Sequence, residues 1–262
     1  MKLLNINIGI RIDNAKEISK LIVDQNADFV AMQEVVHHLD ESVFEEYRSK
    51  RTIEEGVKHL YPYRFFGPLW TANEVRKNGK VTRNFGGRVE QGNEVLSKHP
   101  ITLEANEFFY KTYGYKNDWT DWEKEDHARA LLISEHAVGD KHLRILNIHG
   151  IWTADKKGDV RTIKECEFVL KKALESHLPT IVTGDFNLLP NTESIATLNS
   201  KLINLTEVYK ITSTRPDFKD HLEAGSNVVD YIFVNDKVRV TDYKVIESNV
   251  SDHLPLVLEF EL

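Results

Sequence analysis

An acid and an amide one residue apart follow a short β-branched run at residues 180–183. Gly184 comes directly before Asp185, and Phe186 separates Asp185 from Asn187. On an extended backbone Asp185 and Asn187 would point to the same side, while Phe186 points away into packing. A carboxylate and a carboxamide held side by side can orient a water molecule and accept its proton. The same residues also fit a strand that runs into an Asx-type turn, so this stretch alone leaves both interpretations open.

Polar residues recur where other predicted strands begin or end. They are Asn5, Asn7, Glu34, Arg129, His149, Asp230, Asp252 and His253. Taken singly, such a residue is more often a turn former or a hydrogen-bonded structural residue than a ligand. Arg129 and Asp230 each interrupt an apolar run, and a buried charge without a partner is costly. Two interruptions of opposite sign indicate one internal polar site.

A β-α-β unit is predicted at the start of the chain. We expect a strand over 3–8, a helix over 14–26 and a buried strand over 27–32 that ends at the Gln-Glu pair following it. The helix is expected to begin at a capping box formed by Asn14 and Glu17. If the two strands are parallel neighbours, their carboxyl ends meet at one edge of the sheet. The residues brought together there would be Asn5, Asn7 and Glu34.

Short strands dominate the rest of the chain. We predict strands over 94–97, 101–109, 128–136, 142–148, 228–234, 240–245 and 256–260, with helices over 159–176 and 192–199. Residues 39–60 look helical without a clean apolar stripe, 61–92 look irregular, and 111–126 look like a loop. Many short strands with few helices favour an α/β sandwich of two packed mixed sheets with helices outside. No linker or repeat divides the chain, which predicts one domain over 1–262.

Basic residues cluster in the segment predicted to be irregular. They are Arg76, Lys77, Lys80, Arg83 and Arg88, and they follow an aromatic cluster at 61–70. Such a run is usually a solvated loop. It could instead face a substrate, because basic residues beside aromatic rings suit phosphate capture and base stacking.

The composition limits what the protein can bind. Lys+Arg 34 against Asp+Glu 41 gives a net charge of −7, which argues against binding duplex nucleic acid through overall charge. The single cysteine, Cys166, cannot form an internal disulfide and fits a reducing compartment; it lies on a helical apolar stripe as buried filler. No signal peptide and no membrane-length apolar run are found, so we expect a soluble, cytoplasmic protein without a membrane anchor. No protein partner is implied.

The polar strand ends form motifs that occur in a recognisable order. They are Leu4-Asn5-Ile6-Asn7, Gln33-Glu34, Asn147-Ile148-His149-Gly150, Gly184-Asp185-Phe186-Asn187, Val229-Asp230-Tyr231-Ile232 and Ser251-Asp252-His253. Together they resemble the endonuclease/exonuclease/phosphatase superfamily, which includes pancreatic deoxyribonucleases, abasic-site endonucleases, neutral sphingomyelinases and inositol polyphosphate 5-phosphatases. The resemblance covers residues 5 to 253. It implies a four-layer α/β/β/α sandwich and metal-assisted hydrolysis of a phosphate ester at one edge of the two sheets.

The resemblance also implies a metal site. Glu34 would be the main ligand, assisted by Asn7 or Asp252 and by water-mediated contacts through Asn5. Mg²⁺, with Mn²⁺ as the alternative, suits a site that offers one or two carboxylates and leaves room for waters and substrate oxygens. Many abasic-site endonucleases carry an acid where this chain has Asn7. That departure would make the metal site less anionic.

The catalytic roles implied by the resemblance fall on five residues. Asp185 would orient and deprotonate the attacking water, with Asn187 fixing its side chain or binding a phosphate oxygen. His253 would bind the phosphate, with its tautomer held by Asp230. His149 would be a second phosphate-binding or acid histidine. The phosphate-binding set would be Asn5, Arg129, Asn187 and His149.

The sequence leaves the substrate open. The presence of His149 argues against an abasic-site endonuclease, because those enzymes usually lack this histidine. The neighbouring Trp152 could either stack on a substrate or belong to the core. The partner implied is a phosphate ester, with nucleic acid among the candidates, so nuclease and small-molecule phosphatase both remain. A catalytically inactive binding or scaffold protein on the same fold is the alternative to an enzyme.

Overall fold

Two six-stranded β-sheets pack face to face, with helices on their outer faces. The computed structural model describes residues 1–10, 14–77, 79–116, 127–216 and 227–262. The strands are β1 (Lys2–Asn7), β2 (Phe29–His38), β3 (Tyr63–Lys77), β4 (Lys80–Ser97), β5 (Ile101–Tyr110), β6 (Arg129–Val138), β7 (Lys141–His149), β8 (Thr180–Asp185), β9 (Ile203–Asn204), β10 (Asp230–Val234), β11 (Arg239–Val245) and β12 (Leu256–Glu261). The helices are α1 (Ala15–Gln25), α2 (Ser49–Val57), α3 (Val160–Leu174), α4 (Glu193–Asn199) and α5 (Leu205–Val208).

Both sheets are built around a central parallel pair of strands. The first sheet has the order β11-β12-β1-β2-β4-β3, and the second has the order β5-β6-β7-β8-β10-β9. The parallel pairs are β1 with β2 and β7 with β8, and each pair is connected through a helix, α1 or α3. The strands on either side pair antiparallel with them. Because parallel neighbours end at the same edge of a sheet, each pair presents its carboxyl ends together.

Strand alternation distributes the apolar side chains over both faces of each sheet. Leu3 and Phe29 lie between the sheets with Ile145 of β7, whereas Leu4 and Val30 pack on the outer face against α1 and α2. A third cluster covers the outer face of the second sheet under α3 and α4, and its members include Val182, Cys166, Val169, Ile195 and Leu198. The resulting order of layers is helices, sheet, sheet, helices. The predicted four-layer sandwich is confirmed.

The segment at 61–92 was predicted to be irregular, and that prediction is wrong. It forms most of the long antiparallel hairpin of β3 and β4, which pair from Tyr63 and Ser97 out to Lys77 and Lys80. The register shifts three times along this ladder. Each bulge moves the side chains to the other face, so no sustained period of two is visible in the sequence. The predicted loop at 111–126 lies in part, at 117–126, outside the described residues.

Local details of two helices also differ from expectation. The Asn14 side chain does not cap α1, and its Nδ2 donates to the backbone oxygen of Val250. The apolar spacing of α3 predicts an inner face that runs from Val160 to Leu174, and that prediction is wrong at both ends, since Val160 is 64% exposed and Leu174 is 52% exposed. These two residues are the first and last of the helix, where the packed stripe ends. Cys166, in the middle of that stripe, is buried as predicted.

Gly184 provides a test of how closely the central strands of the second sheet must approach. Its φ is +144°, and a Cβ placed on it would lie 1.9 Å from the backbone oxygen of Ile148 in β7. We expect Gly184→Ala to lower the free energy of unfolding by at least about 3 kcal/mol, measured by urea denaturation. The control is Gly139→Ala in the β6–β7 turn, where φ is +63° and no atom lies within 4 Å. There the cost should be about 1 kcal/mol, and equal losses would contradict the argument.

Candidate active site

Three strands of the second sheet place polar residues in one row at its carboxyl edge. His149, the last residue of β7, lies opposite Asp185, the last residue of β8. Asp185 in turn lies opposite Asp230, the first residue of β10. All three side chains are buried. The sequence placed these residues at strand ends, and the sheet register makes them neighbours.

Glu34 reaches the same edge from the first sheet by leaving the β2 ladder. The sequence predicted that the strand ends here, but β2 continues to His38, and its register with β4 shifts between Met32 and Val35. Within this irregularity Glu34 has a φ of +60°. Its Oε1 lies 3.7 Å from His149 Nε2 of the other sheet. A non-glycine residue in this region of φ is uncommon, and such residues concentrate at functional sites.

The Asp185 carboxylate is the centre of the site. Its Oδ2 accepts a hydrogen bond from Asn7 Nδ2 at 3.0 Å, across the interface between the sheets. The same oxygen lies 3.7 Å from both His149 Nε2 and His253 Nε2. Its Oδ1 accepts the backbone N–H of Asn187 at 2.8 Å. Asp185 is therefore buried and held at both oxygens, with two imidazoles within reach of one of them.

Asn187 combines the two interpretations that its sequence allowed. Its φ is +57°, and its backbone N–H donates to the Asp185 side chain two residues before it, which is an Asx-type turn. The turn nevertheless holds the amide beside the site, where Lys156 Nζ donates to Asn187 Oδ1 and Asn187 Nδ2 donates to the Gly150 oxygen at 3.4 Å. Phe186 points into the outer core, as predicted.

His253 is oriented by a buried acid. Its Nδ1 lies 2.9 Å from Asp230 Oδ2, and that oxygen also accepts a hydrogen bond from Thr214 Oγ1 at 2.7 Å. Because an ionised carboxylate only accepts, Nδ1 carries the proton and Nε2 is the nitrogen that faces Asp185. Burial disfavours the imidazolium, but the charges of Asp230 and Asp185 outweigh it and raise the pKa of His253 to about 9. His253 is thus a cationic donor at neutral pH.

His149 has the opposite electrostatic environment. Burial and then the nearby Arg129 guanidinium hold its pKa well below the usual range, with further contributions from His253 and Lys156. Arg129 is itself buried at the start of β6. The two histidines of the site therefore differ in charge, one neutral and one protonated. Environments that separate two chemically identical groups in this way are typical of acid–base sites.

Glu34 and Asp252 form the part of the site best suited to a metal ion. Burial and then the Asp252 carboxylate raise the pKa of Glu34, because two acids share one region. Ser251 Oγ donates to the Asn7 backbone oxygen at 2.6 Å and so ties the Asp252 segment to the end of β1. Closely spaced carboxylate oxygens are the ligands that hard divalent cations such as Mg²⁺ and Mn²⁺ prefer. The donor set fits such an ion.

A second group of donors lies next to this pair. Among the described residues, ligand atoms of Asp185, Asp230 and His253 all lie within 4.8 Å of one another. Two members of this group, Asp230 and His253, already bond to each other. The pair of Glu34 and Asp252 is therefore the better candidate for a resident cation.

The two asparagines of β1 make different contacts at the edge of the site. Asn7 turns its amide nitrogen toward Asp185 and Glu34, while its Oδ1 accepts the backbone N–H of Gly9 at 3.0 Å. That arrangement makes Asn7 a donor to carboxylates. Asn5 is fully buried, and its Oδ1 accepts from Gln33 Nε2 at 2.8 Å. This bond supports Gln33, and phosphate contact by Asn5 stays a prediction.

Several residues of the site were not singled out from the sequence. Lys156 and Thr214 contact Asn187 and Asp230 through their side chains, and Arg215 Nη2 lies 3.2 Å from Asp252 Oδ2. They come from connecting segments with no strand-end pattern. A buried lysine in a loop and a threonine sixteen residues before its acid carry no local signal, because their partners are chosen by tertiary packing.

A cavity of about 600 Å³ opens beside the carboxylates of Glu34 and Asp252. Glu34 and Asp252 line one side of it, and Arg83 of β4 lines another. Its remaining wall includes the apolar side chains of Ile8, Ile10, Pro216 and Val250. The basic segment that could have been a solvated loop is thus a β-hairpin, and one of its arginines borders the site.

The comparisons with known proteins agree with this architecture. A family model described as the endonuclease/exonuclease/phosphatase family matches residues 4–253, and the chain belongs to that family. Members of the family are phosphoesterases and generally depend on a divalent metal. None of the curated proteins compared with the chain matches it. Within the described residues, none of the helices is both long and apolar enough to cross a membrane.

Solved structures with the same fold share little sequence with the chain. A family protein from Leptotrichia buccalis is 20% identical with a TM-score of 0.69, and the match covers 100% of both chains. A mannosyl-6-phosphatase from Bacteroides thetaiotaomicron is 16% identical with a TM-score of 0.64, again over 100% of both chains. TDP2 from Caenorhabditis elegans is 18% identical with a TM-score of 0.66, over 99% of this chain and 74% of that one. At these identities the similarity concerns the fold.

Asn7→Asp tests, without a measurement of activity, whether Glu34 and Asp252 bind a divalent cation. The change replaces the donor to Asp185 and Glu34 with a further carboxylate, so we expect the free energy of unfolding in EDTA to fall by about 3 kcal/mol. Millimolar Mg²⁺ should restore much of the loss, because a bound cation neutralises the added charge. Asn7→Ala is the control, since it loses the same hydrogen bonds and gains no charge. Urea denaturation with and without Mg²⁺ makes the comparison, and an identical Mg²⁺ response of the two variants would refute the assignment.

Proposed function

We propose that this protein is a metal-dependent phosphoesterase that hydrolyses a phosphate ester by in-line attack of water activated at Asp185. The observation that supports the proposal is the convergence of two imidazoles of different charge on one buried carboxylate, beside a second pair of acids. Asp185 Oδ2 lies 3.7 Å from the Nε2 atoms of His149 and His253. Hydrolysis of a phosphate ester requires a space that is bounded by a base, a cationic donor and the ligands of a metal ion.

The metal ligands in this proposal are Glu34 and Asp252. Asn7 donates to Glu34 Oε1 at 3.3 Å and keeps that carboxylate turned toward the site. When bound there, a Mg²⁺ or Mn²⁺ ion would supply charge for the phosphate oxygens and the leaving oxygen. Glu34 lies on β2 and Asp252 lies in the segment before β12, two strands of the first sheet, so the fold of that sheet sets their separation.

Asp185 acts as the general base. Asn7 and the Asn187 backbone each occupy one of its oxygens, which fixes the plane of the carboxylate. A water molecule that approaches Oδ2 can give its proton to this group as it attacks phosphorus. Because the carboxylate is already held, little reorganisation is needed at the moment of reaction.

The cationic groups bind the phosphate. His253, kept protonated by Asp230, donates from Nε2 to a phosphoryl oxygen. His149 is neutral, so its part is that of a hydrogen-bond donor and not a strong acid, and Arg129 adds positive charge behind it. Charge that grows on the phosphoryl oxygens during displacement is thereby met by groups already in position.

An inactive scaffold protein is disfavoured by the state of the site. A protein that only used the fold for binding would not need a base held at both oxygens or an acid–histidine pair. Asp185, Asp230 and His253 are buried at a net cost that packed apolar residues would avoid. Retaining these groups makes sense if they take part in a reaction.

Asp185→Ala and His253→Ala test the proposed chemistry. Each should lower turnover of a phosphate ester by at least roughly 100-fold, because a base or a phosphate donor is lost. Substrates for the assay are single-stranded and duplex DNA, RNA, inositol phosphates and sugar phosphates, each with Mg²⁺, Mn²⁺ or EDTA. Removing these buried charged groups should leave the circular dichroism spectrum unchanged. The matched control is His142→Ala, an exposed histidine on the same strand as His149.

The results distinguish an enzyme from an inactive scaffold protein with the same fold. Metal-dependent turnover by the wild-type protein and by His142→Ala, lost in both site variants, supports the enzyme. Turnover that persists in both Asp185→Ala and His253→Ala would refute the proposed mechanism. A folded wild-type protein that hydrolyses no member of the panel with either metal would favour the scaffold.

The cavity beside Glu34 and Asp252 bears on the choice of substrate. Its apolar wall and Arg83 suit an ester whose organic part carries a second anionic group, as in a nucleotide. A neighbour in fold is named a mannosyl-6-phosphatase, so a sugar phosphate is the competing substrate. Arg83→Met should raise the KM for polyanionic substrates roughly tenfold and leave simple monophosphates unaffected. Arg76→Met, on the same hairpin and paired with Glu74, is the control, and equal effects of both changes would contradict a contact from Arg83.

A further inference from the structure

Lys156 is a buried cation beside the base of the site. It lies in the segment 150–159 between β7 and α3, and it is only 5% exposed. Its Nζ donates to Asn187 Oδ1 and lies 4.8 Å from the centroid of the Trp152 ring. Its charge is near enough to His149 to contribute to the low pKa of that imidazole. A buried ammonium is costly unless it is well solvated by the protein, so its position calls for a reason.

The backbone around Lys156 is fixed from both sides. Its N–H donates to the Thr153 oxygen at 3.2 Å, and its own oxygen accepts the N–H of Leu189 at 2.8 Å. The residue has a φ of +57°, which costs about 1–2 kcal/mol for an L-amino acid with a side chain. The segment after β7 is thus bonded to the segment after β8. This connection holds the ammonium against Asn187.

The contact decides which way round the Asn187 amide lies. An ammonium group can only donate, so the amide must turn its oxygen toward Lys156 and its NH₂ group away. In the described part of the chain that NH₂ meets one acceptor, the Gly150 oxygen, at a long 3.4 Å. The second amide N–H bonds no acceptor among the described residues, and Asn187 adjoins the carboxylate at the centre of the site through its backbone bond to Asp185 Oδ1.

We propose that Lys156 is a positioning residue that locks the Asn187 amide so that its NH₂ group donates to the phosphate of the substrate. Without the ammonium, the amide could rotate and present its oxygen, an acceptor, to an anion. The Trp152 ring contacts the ammonium group through a cation–π interaction. This contact gives Trp152 a role other than the two that the sequence left open, which were a core residue and a stacking surface for the substrate. The inference rests on the proposed function only in taking phosphate as the ligand.

A double-mutant cycle tests whether Lys156 works through Asn187. The variants are Lys156→Met, Asn187→Ala and the two combined, and the readout is affinity for inorganic phosphate in the presence of Mg²⁺ by calorimetry. Each single change should weaken phosphate binding roughly tenfold, and the combined variant should be no weaker than Asn187→Ala alone. If Lys156 only held the loop or added general charge, its removal would weaken binding further in the Asn187→Ala protein. Such additivity overturns the inference.

A second variant leaves Lys156 intact and guards against a failure to fold. Asn187→Asp keeps an oxygen for the ammonium, forms an ion pair with it, and replaces the NH₂ group by a second acceptor. We expect an unchanged or higher melting temperature together with a loss of phosphate affinity larger than that of Asn187→Ala. Phosphate binding by Asn187→Asp at the wild-type level would overturn the inference even if Lys156→Met does not fold.

The outcomes for Lys156 and for the proposed enzyme can be told apart. Phosphate affinity is measured without turnover, so a wild-type protein that binds phosphate and hydrolyses nothing refutes the proposed function and still gives a result for Lys156. Turnover by the wild type with an additive cycle refutes the role of Lys156 alone. A wild-type protein that binds no phosphate and hydrolyses nothing refutes both.

Discussion

The hydrogen bond from Asn7 to Asp185 joins the two sheets at the place where the chemistry is expected. A buried carboxylate must find donors, and here the main side-chain donor comes from the opposite sheet. The bond can form only if the carboxyl ends of β1 and β8 lie at the same edge of the sandwich. Each sheet satisfies this condition because its central strands are parallel and connected through a helix, which brings both strands of the pair out at that edge. The site is therefore a consequence of two β-α-β units placed face to face.

Much of this fold was predictable because its central strands follow simple rules. Alternating and continuous apolar runs located β1, β7, β8, β10 and β12 to within a few residues, and the helical period located α1 and α3. The failures have a common physical origin. In the β3–β4 hairpin three bulges break the period of two, and at Asn14 the side chain bonds to a distant backbone oxygen while no local cap forms. Tertiary contacts override local preference in both places.

The candidate site was predictable in its members and not in their geometry. Strand-end position and family resemblance named Glu34, Asp185, Asp230 and His253, and the structure brings these four together. What each atom does depends on neighbours far away in the chain. Asn7 presents its nitrogen to the acids because the Gly9 N–H takes its oxygen, a pairing that no spacing rule reveals. The different charge states of the two histidines likewise arise from distant neighbours, because His253 bonds to Asp230 while His149 is buried near Arg129.

Backbone strain is present at three positions of this edge of the sandwich. Of the six described non-glycine residues with positive φ, three belong to the site: Glu34, Lys156 and Asn187. Each such residue costs about 1–2 kcal/mol, and each is held by a contact that an unstrained backbone would lose. Glu34 needs its bulge to reach His149, Asn187 needs its turn to donate to Asp185, and Lys156 needs its own turn to reach Asn187. Because glutamate and lysine have no preference for this region of φ, a sequence gives no sign of it. The strain is consistent with a site in which the proposed base, phosphate donor and metal ligand converge around one point.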